Sequence, residues 1–108
     1  MKKTPAQQKA EFFRLLAQNG FIINNEALQA DPPVYTRHWS KQVEVLWHGT
    51  CESTMEIRAC IQWGDPCIKI FMDGRFKDSR SYTSPKRCIN AMREIVSYAG
   101  FDFEEGQK

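Results

Sequence analysis

Long apolar runs are missing from this sequence. No stretch approaches the roughly 18 residues that a membrane-spanning helix needs. Met1-Lys2-Lys3 leads into polar sequence rather than into the apolar core of a signal peptide. These absences predict a cytoplasmic protein, in which thiols stay reduced. Four cysteines are then expected to be free: Cys51, Cys60, Cys67 and Cys88.

Catalytic and metal-binding motifs are also scarce. His48 and Cys51 have the spacing of half a zinc site, but no second close pair of ligands exists. Nothing local joins a cysteine to a histidine and an acid, as nucleophilic catalysis requires. The sequence therefore predicts a protein that is not an enzyme and that holds no metal and no cofactor.

A large excess of charge of one sign is absent as well. Fifteen basic and thirteen acidic residues give a net charge of +2, which by itself implies no polyanionic partner. The 108 residues are 42% hydrophobic and 26% charged, as in an ordinary globular chain. This length predicts one domain over residues 1–108, with a frayed acidic and polar tail at 104–108.

What the sequence does contain is a central stretch, 55–82, with the pattern of three consecutive strands. Apolar and polar residues alternate over 55–63 and again over 67–73, which is typical of half-buried strands. Gly64-Asp65-Pro66 separates these two strands. Asp73-Gly74 is a strong signal for a two-residue hairpin turn into the third strand.

The register of the first hairpin can be predicted from its faces. Pairing Gln62 with Cys67 brings apolar residues together on one face, as Ile61–Ile68, Ala59–Ile70 and Ile57–Met72. In this register Cys60 and Cys67 are diagonal neighbours, and a disulfide between them would fit poorly.

The third strand conflicts with this face pattern. The Asp73-Gly74 turn places Phe71 opposite Phe76, Ile70 opposite Lys77 and Lys69 opposite Asp78. Cations then fall on the apolar face, so either this strand is an edge or a bulge after Gly74 reverses it.

The other face of the three strands would carry Arg58, Phe71 and Phe76 in one row. Two interpretations of this row are open. A helix covers the rings as part of the core, or the face is open and offers nucleobases a stacking surface beside cations.

Helices are predicted on both sides of the strands. Thr4-Pro5 begins a helix over 5–18, with a stripe of Ala6, Ala10, Phe13 and Ala17 joined by Phe12, Leu15 and Leu16. Ser84-Pro85 begins a second helix, which Gly100 ends; its stripe is Cys88, Met92, Ile95 and Ala99, flanked by Ile89 and Val96.

Between the first helix and the central strands, residues 24–30 could add a helical turn that Asp31-Pro32-Pro33 stops, and 42–47 alternates like a further strand. The order is α-β-β-β-β-α. This predicts an α+β fold with a single antiparallel sheet of three to four strands.

The strongest functional signal is local charge. Between Arg75 and Arg93 there are six cations and one acid. Phosphate contacts are predicted for five of the cations, which lie on the edge strand and at the start of the second helix: Arg75, Lys77, Arg80, Lys86 and Arg87. A solvated edge protected by charge would show the same pattern.

The α-β-β-β-α part of this order, with cations at the start of the last helix, resembles the double-stranded-RNA-binding domain in outline. Pro33-Val34-Tyr35 is similar to that family's Pro-x-Tyr before its first strand. The family's last helix is rich in lysine and alanine, whereas this one begins Pro85-Lys86-Arg87-Cys88. The resemblance implies the topology and no function of its own.

The sequence as a whole predicts a small non-enzymatic binding module for nucleic acid or a nucleoprotein, with RNA and DNA both open. The five cations would contact phosphate, and Arg58, Phe71 and Phe76 would add a stacking surface. The alternative is a protein-binding accessory or inhibitor protein, of the phage or plasmid type, that docks through an exposed sheet edge.

Overall fold

The computed structural model describes residues 4–23, 34–47 and 49–105. Its elements are α1 (Pro5–Gln18), β1 (Ile22–Ile23), β2 (Tyr35–Val45), β3 (Gly49–Gln62), β4 (Asp65–Met72), β5 (Arg75–Ser81), α2 (Pro85–Tyr98) and a 3-10 turn (Phe103–Glu105). The predicted α+β class and helix–sheet–helix order are confirmed. The sheet has five strands rather than three or four.

Each helix begins and ends as its sequence predicts. The Thr4 hydroxyl accepts the N–H of Gln7 at 3.2 Å, and the Gln7 side chain accepts the N–H of Thr4 at 2.9 Å, which completes a capping box. At the other end, Gly20 adopts φ +85° and Phe21 returns to donate to the Leu16 carbonyl. Gly100 and Phe101 close α2 in the same way.

The strands form one antiparallel sheet in the order β1-β2-β3-β4-β5. Both helices pack on the same face of this sheet, because their buried side chains share one core with the inward residues of β2, β3 and β4. The core comprises Phe12, Leu16, Phe21, Trp39, Met55, Ile57, Ala59, Ile68, Ile70, Cys88, Ile89, Met92, Val96, Phe101 and Phe103. Neither described helix is long and apolar enough to cross a membrane.

The buried stripe of α2 matches the prediction, but that of α1 differs. Phe12 and Leu16 are buried, with Phe13 and Leu15 packed beside them, whereas Ala6, Ala10 and Ala17 are exposed. The large side chains decide which face of α1 turns inward, because they remove more apolar area from water than alanine does.

The predicted register of the β3–β4 hairpin is wrong by two residues. Ile61 pairs with Pro66, and the remaining apolar pairs are Ala59–Ile68, Ile57–Ile70 and Met55–Met72. The turn is the two-residue Trp63-Gly64, with φ +55° and +82°, rather than Gly64-Asp65-Pro66. A shift of two keeps every side chain on its predicted face, so the face pattern alone does not distinguish the two registers.

The β4–β5 hairpin has the predicted Asp73-Gly74 turn and the predicted Phe71–Phe76 pair. Beyond that pair a bulge shifts the register, so that Ile70 lies opposite Asp78 and Lys69 opposite Ser79. The unbulged pairing of Ile70 with Lys77 is therefore wrong. The bulge comes after Phe76 rather than directly after Gly74, and it leaves Lys77 as the extra residue.

The β2–β3 hairpin extends well beyond the rest of the sheet. β2 covers Tyr35–Val45 instead of 42–47, and it pairs with β3 along its whole length. Since β4 reaches only to Met55 on β3, residues 40–45 and 49–54 form a two-stranded projection, called here the β2–β3 arm. Lys41 holds the base of the arm by donating to the Ala99 and Gly100 carbonyls, both at 3.2 Å.

Three predictions concern the remaining segments. The helical turn at 24–30 and the stop at Asp31-Pro32-Pro33 lie outside the described residues. The segment predicted as a frayed tail begins in the 3-10 turn, where Arg93 donates to Glu104 at 2.6 Å. Residues 106–108 again lie outside the described part.

Candidate nucleic-acid interface

On the face of the sheet opposite the helices, the side chains of Arg58, Lys69 and Phe76 are exposed. Alternation along β3 and β4 points Met55, Ile57 and Ile70 into the core. It points Arg58 and Phe71 to the other side. Neither Phe71 nor Phe76 belongs to the buried core, and Phe76 is exposed, so the interpretation that a helix covers both rings as core is wrong.

The row itself is formed across β3, β4 and β5. The Cζ atom of Arg58 lies 4.4 Å from the centroid of the Phe71 ring. The Phe71 and Phe76 rings are 5.7 Å apart and nearly perpendicular, at 72°. Phe76 is 56% exposed, so its ring is the most accessible part of the row. We call the uncovered surface around these three side chains and Lys69 the open face.

Two further residues of the open face were not singled out from the sequence. The Glu56 carboxylate accepts hydrogen bonds from both His38 and Arg58. These side chains, with Phe71, line a small cavity of about 160 Å³. The i, i+2 spacing of Glu56 and Arg58 on one strand could have identified that pair. His38 was not found because residues 34–40 were not assigned to a strand.

The edge-strand cations lie on the other side of the sheet. Lys77 and Arg80 line a groove of about 450 Å³ between β5 and α2, together with Asp78 and Glu94. Arg80 Nε donates to Asp78 Oδ2 at 2.8 Å. This hydrogen bond and a second one from the Ser79 N–H lower the pKa of the Asp78 carboxyl. Arg80 is thus already paired with an anion, unlike a free phosphate-binding cation.

Lys86 and Arg87 are exposed at the start of α2, as predicted. The backbone there offers less to an anion than the sequence suggested. Pro85 has no N–H, and the Ser84 hydroxyl accepts the Arg87 N–H at 3.2 Å. Of these first three helical positions, only Lys86 keeps an N–H without an intramolecular partner in the described structure.

The eight predicted site residues therefore do not form one surface. Arg58, Phe71 and Phe76 share the open face, while Lys77 and Arg80 share the groove beside α2. Arg75 lies at the Asp73-Gly74 turn, opposite Met72. Lys86 and Arg87 lie at the far end of α2, about 18 Å along the helix from Tyr98.

Three strongly exposed aromatic residues were also missed as candidates: Trp47 at 90%, Trp63 at 95% and Tyr98 at 97%. Trp47 lies at the tip of the β2–β3 arm beside Leu46. Trp63 was assigned to a strand, but it occupies the turn between β3 and β4 with positive φ. The alternation of apolar and polar residues continues to Trp63, although β3 ends at Gln62. An apolar residue directly after a strand fits the alternation whether or not it belongs to the strand.

The cysteines are free in this structure, and Cys60 and Cys67 are direct cross-strand partners. The prediction that they lie diagonally is therefore wrong, since it depended on the shifted register. No group of three or more His, Cys, Asp or Glu side chains within the described ranges could hold a metal ion. His48 of the suggested half zinc site lies outside those ranges.

Comparisons of the chain with protein-family models, with curated proteins and with solved structures gave no match.

Proposed function

We propose that this chain is a small non-enzymatic binding module that takes single-stranded nucleic acid on its open face. The observation that supports this most is the position of both helices on the opposite face, which leaves Phe76 and the Arg58–Phe71 pair accessible. Unstacked bases bind to open sheets by stacking on aromatic rings and on guanidinium planes. We further propose that the protein acts in the cytoplasm.

Each residue of the open face would have a distinct role. Phe76 would stack on one base, and the guanidinium of Arg58 on a second, with Phe71 behind it. Lys69 would contact a phosphate between them. The cavity beside Glu56 could accept the edge of a base, since a carboxylate accepts hydrogen bonds from amino groups. Bases inside a duplex are stacked on each other, so the proposal favours single strands.

Fluorescence anisotropy with labelled DNA and RNA oligonucleotides, single-stranded and duplex, tests this proposal. We expect single strands to bind in the range of non-specific complexes, about 1–100 μM at physiological salt and more tightly at low salt. Phe76→Ala should weaken binding about tenfold or more, because stacking is worth about 1–3 kcal/mol per base. Tyr98→Ala removes a ring from the helix side that is even more exposed, at 97%, and should change the affinity less than about twofold.

Two results would contradict the proposal. One is an affinity weaker than about 100 μM for every oligonucleotide at low salt. The other is an equal loss in the Phe76→Ala and Tyr98→Ala variants, which would indicate that the rings bind without regard to the face of the sheet.

A second candidate is a protein-binding accessory or inhibitor protein. The observation that favours it is the β2–β3 arm, whose tip exposes Leu46 and Trp47. Tryptophan is enriched among residues that dominate protein–protein binding energy. The arm has Glu44 and Glu52 against Lys41, a net charge that suits a protein better than a polyanion. A pull-down with and without nuclease separates the two candidates, because a direct protein complex survives the nuclease.

A further inference from the structure

We infer that Cys60 and Cys67 form an oxidation-sensitive thiol pair, which closes to a disulfide within the β3–β4 hairpin. The two residues are directly opposed across the strands. Neither thiol is engaged in a disulfide in this structure. By strand alternation the pair lies on the same side of the sheet as Arg58 and Lys69, next to the open face. The inference rests on the cross-strand pairing alone and does not depend on the proposed function.

The strand geometry allows the bond. In a hairpin with the two-residue turn Trp63-Gly64, the residues next to the turn form a hydrogen-bonded pair, and pair types then alternate. Ile61–Pro66 is thus a non-hydrogen-bonded pair, which suits a proline without an N–H. Cys60–Cys67 is the next hydrogen-bonded pair, with Cα atoms about 5.5 Å apart. That distance lies inside the range of about 4.4–6.8 Å found in disulfides.

The two thiols differ in accessibility, which sets the order of the reaction. Cys60 is half-buried, whereas Cys67 is buried and its Sγ lies 3.4 Å from Gln62 Oε1. A small oxidant therefore meets Cys60 first. With the azo compound diamide, the Cys60 thiolate adds to the N=N bond, and one nitrogen takes a proton. Cys67 then loses its proton and attacks Cys60 Sγ, so that the S–N bond breaks, the S–S bond forms and the reduced hydrazine leaves.

The reaction should be slow at neutral pH and faster in alkali. Burial, and secondarily the neighbouring Cys67, raise the pKa of the Cys60 thiol above its ordinary value of 9.0. Only the thiolate reacts, and its fraction falls about tenfold for each pH unit below the pKa. We therefore expect the rate to rise about tenfold per unit between pH 7 and 9.

Trypsin offers a direct test, because it cleaves after Arg58 and Lys69 and so releases both cysteines, and no others, in one peptide. The reduced full chain is treated with diamide, then alkylated, digested and analysed by mass. We expect the 59–69 peptide to be lighter by two hydrogens and to carry no alkyl group. Acid cleavage of the Asp65–Pro66 bond should leave its two halves joined until a reductant is added.

Variants decide whether the pair is responsible. Cys60→Ser and Cys67→Ser should each abolish the internal disulfide, while Cys51→Ser, which removes an exposed cysteine, should leave it unchanged. The inference fails if the wild-type peptide carries two alkyl groups after oxidation. It also fails if the folded chain gives the same mixture of pairings as the chain in urea, because the bond would then not depend on the native register.

Discussion

Arg37 donates from Nη1 to the carbonyl oxygen of Asn19 at 2.7 Å, and so joins β2 to the end of α1. Its guanidinium lies between two rings, with Cζ 4.9 Å from the centroid of Trp39 and 4.5 Å from that of Phe103. Burial lowers the pKa of Arg37, and nearby Glu104 opposes this shift. One buried cation therefore holds together the first helix, the sheet and the C-terminal turn.

We predict that Arg37→Lys destabilises the fold although it keeps the charge. Lysine has no planar group to lie between Trp39 and Phe103, and its ammonium is more strongly hydrated than a guanidinium. The expected loss is about 1–3 kcal/mol in the free energy of unfolding, measured by urea titration. Arg14→Lys, on the exposed side of α1, is the matched control and should change it by less than about 0.5 kcal/mol. Equal effects would contradict the role given to Arg37.

Ile70 provides a test of the core in the corrected register. It is buried opposite Ile57 and lies beneath α2. We expect Ile70→Ala to cost about 2–5 kcal/mol, because it removes buried methyl groups and leaves a cavity. Ile22→Ala makes the same chemical change at a half-exposed position and should cost less than about 1 kcal/mol. A cost below 1 kcal/mol at Ile70 would mean that this face of the sheet is solvated.

The buried thiol of Cys88 should make the free energy of unfolding depend on pH in the alkaline range. Burial raises the pKa of its thiol from 9.0 to about 12. The folded state thus keeps a proton that the unfolded chain releases, and stability is lost as the pH rises through 9 toward 12. Near pH 10.5 the loss from this group should be about 2 kcal/mol. Cys88→Ala should lose less stability between pH 7 and 10.5 than the wild type, as followed by urea titration. Identical losses in both proteins would show that the Cys88 thiol ionises as readily in the folded state as in the unfolded chain.

Local signals in the sequence were sufficient to predict where both helices begin and end. Thr4-Pro5 and Ser84-Pro85 begin them, and Gly20 and Gly100 end them, since each boundary depends on contacts within one turn. The Asp73-Gly74 turn is equally local. These features could be predicted because no distant residue changes which conformation is favoured there.

The wrong predictions concern strand pairing, where the local sequence is compatible with more than one arrangement. A two-residue slip of β3 on β4 keeps all apolar side chains inward, and Trp63 has no strong turn preference, so the sequence did not distinguish the registers. The bulge at Lys77 does not remove the conflict that the face pattern revealed, because Asp78 and Arg80 then lie opposite Ile70 and Ile68 and line the groove beside α2. The strand is instead an edge whose charged side chains reach past the core. His38 could not be linked to Glu56 until β2 was known to pair with β3 from residue 35 onward.

The last prediction concerns the two cations that begin α2. Reversal of Lys86 and Arg87 to Glu should leave the fold intact or stabilise it, by about 0.3–1 kcal/mol per site, because acids suit a helix N-terminus better than cations. Both are exposed on a helix that packs on the opposite side of the sheet from the open face, and 0.1 M salt screens charges beyond a Debye length of about 10 Å. At that salt concentration the double variant should therefore bind single strands less than about threefold more weakly, whereas Lys69→Glu should weaken binding more and reduce the salt dependence. Anisotropy titrations at two salt concentrations measure both effects. If the double variant abolishes binding and Lys69→Glu does not, the nucleic acid lies at the start of α2, as the sequence first suggested, and not on the open face.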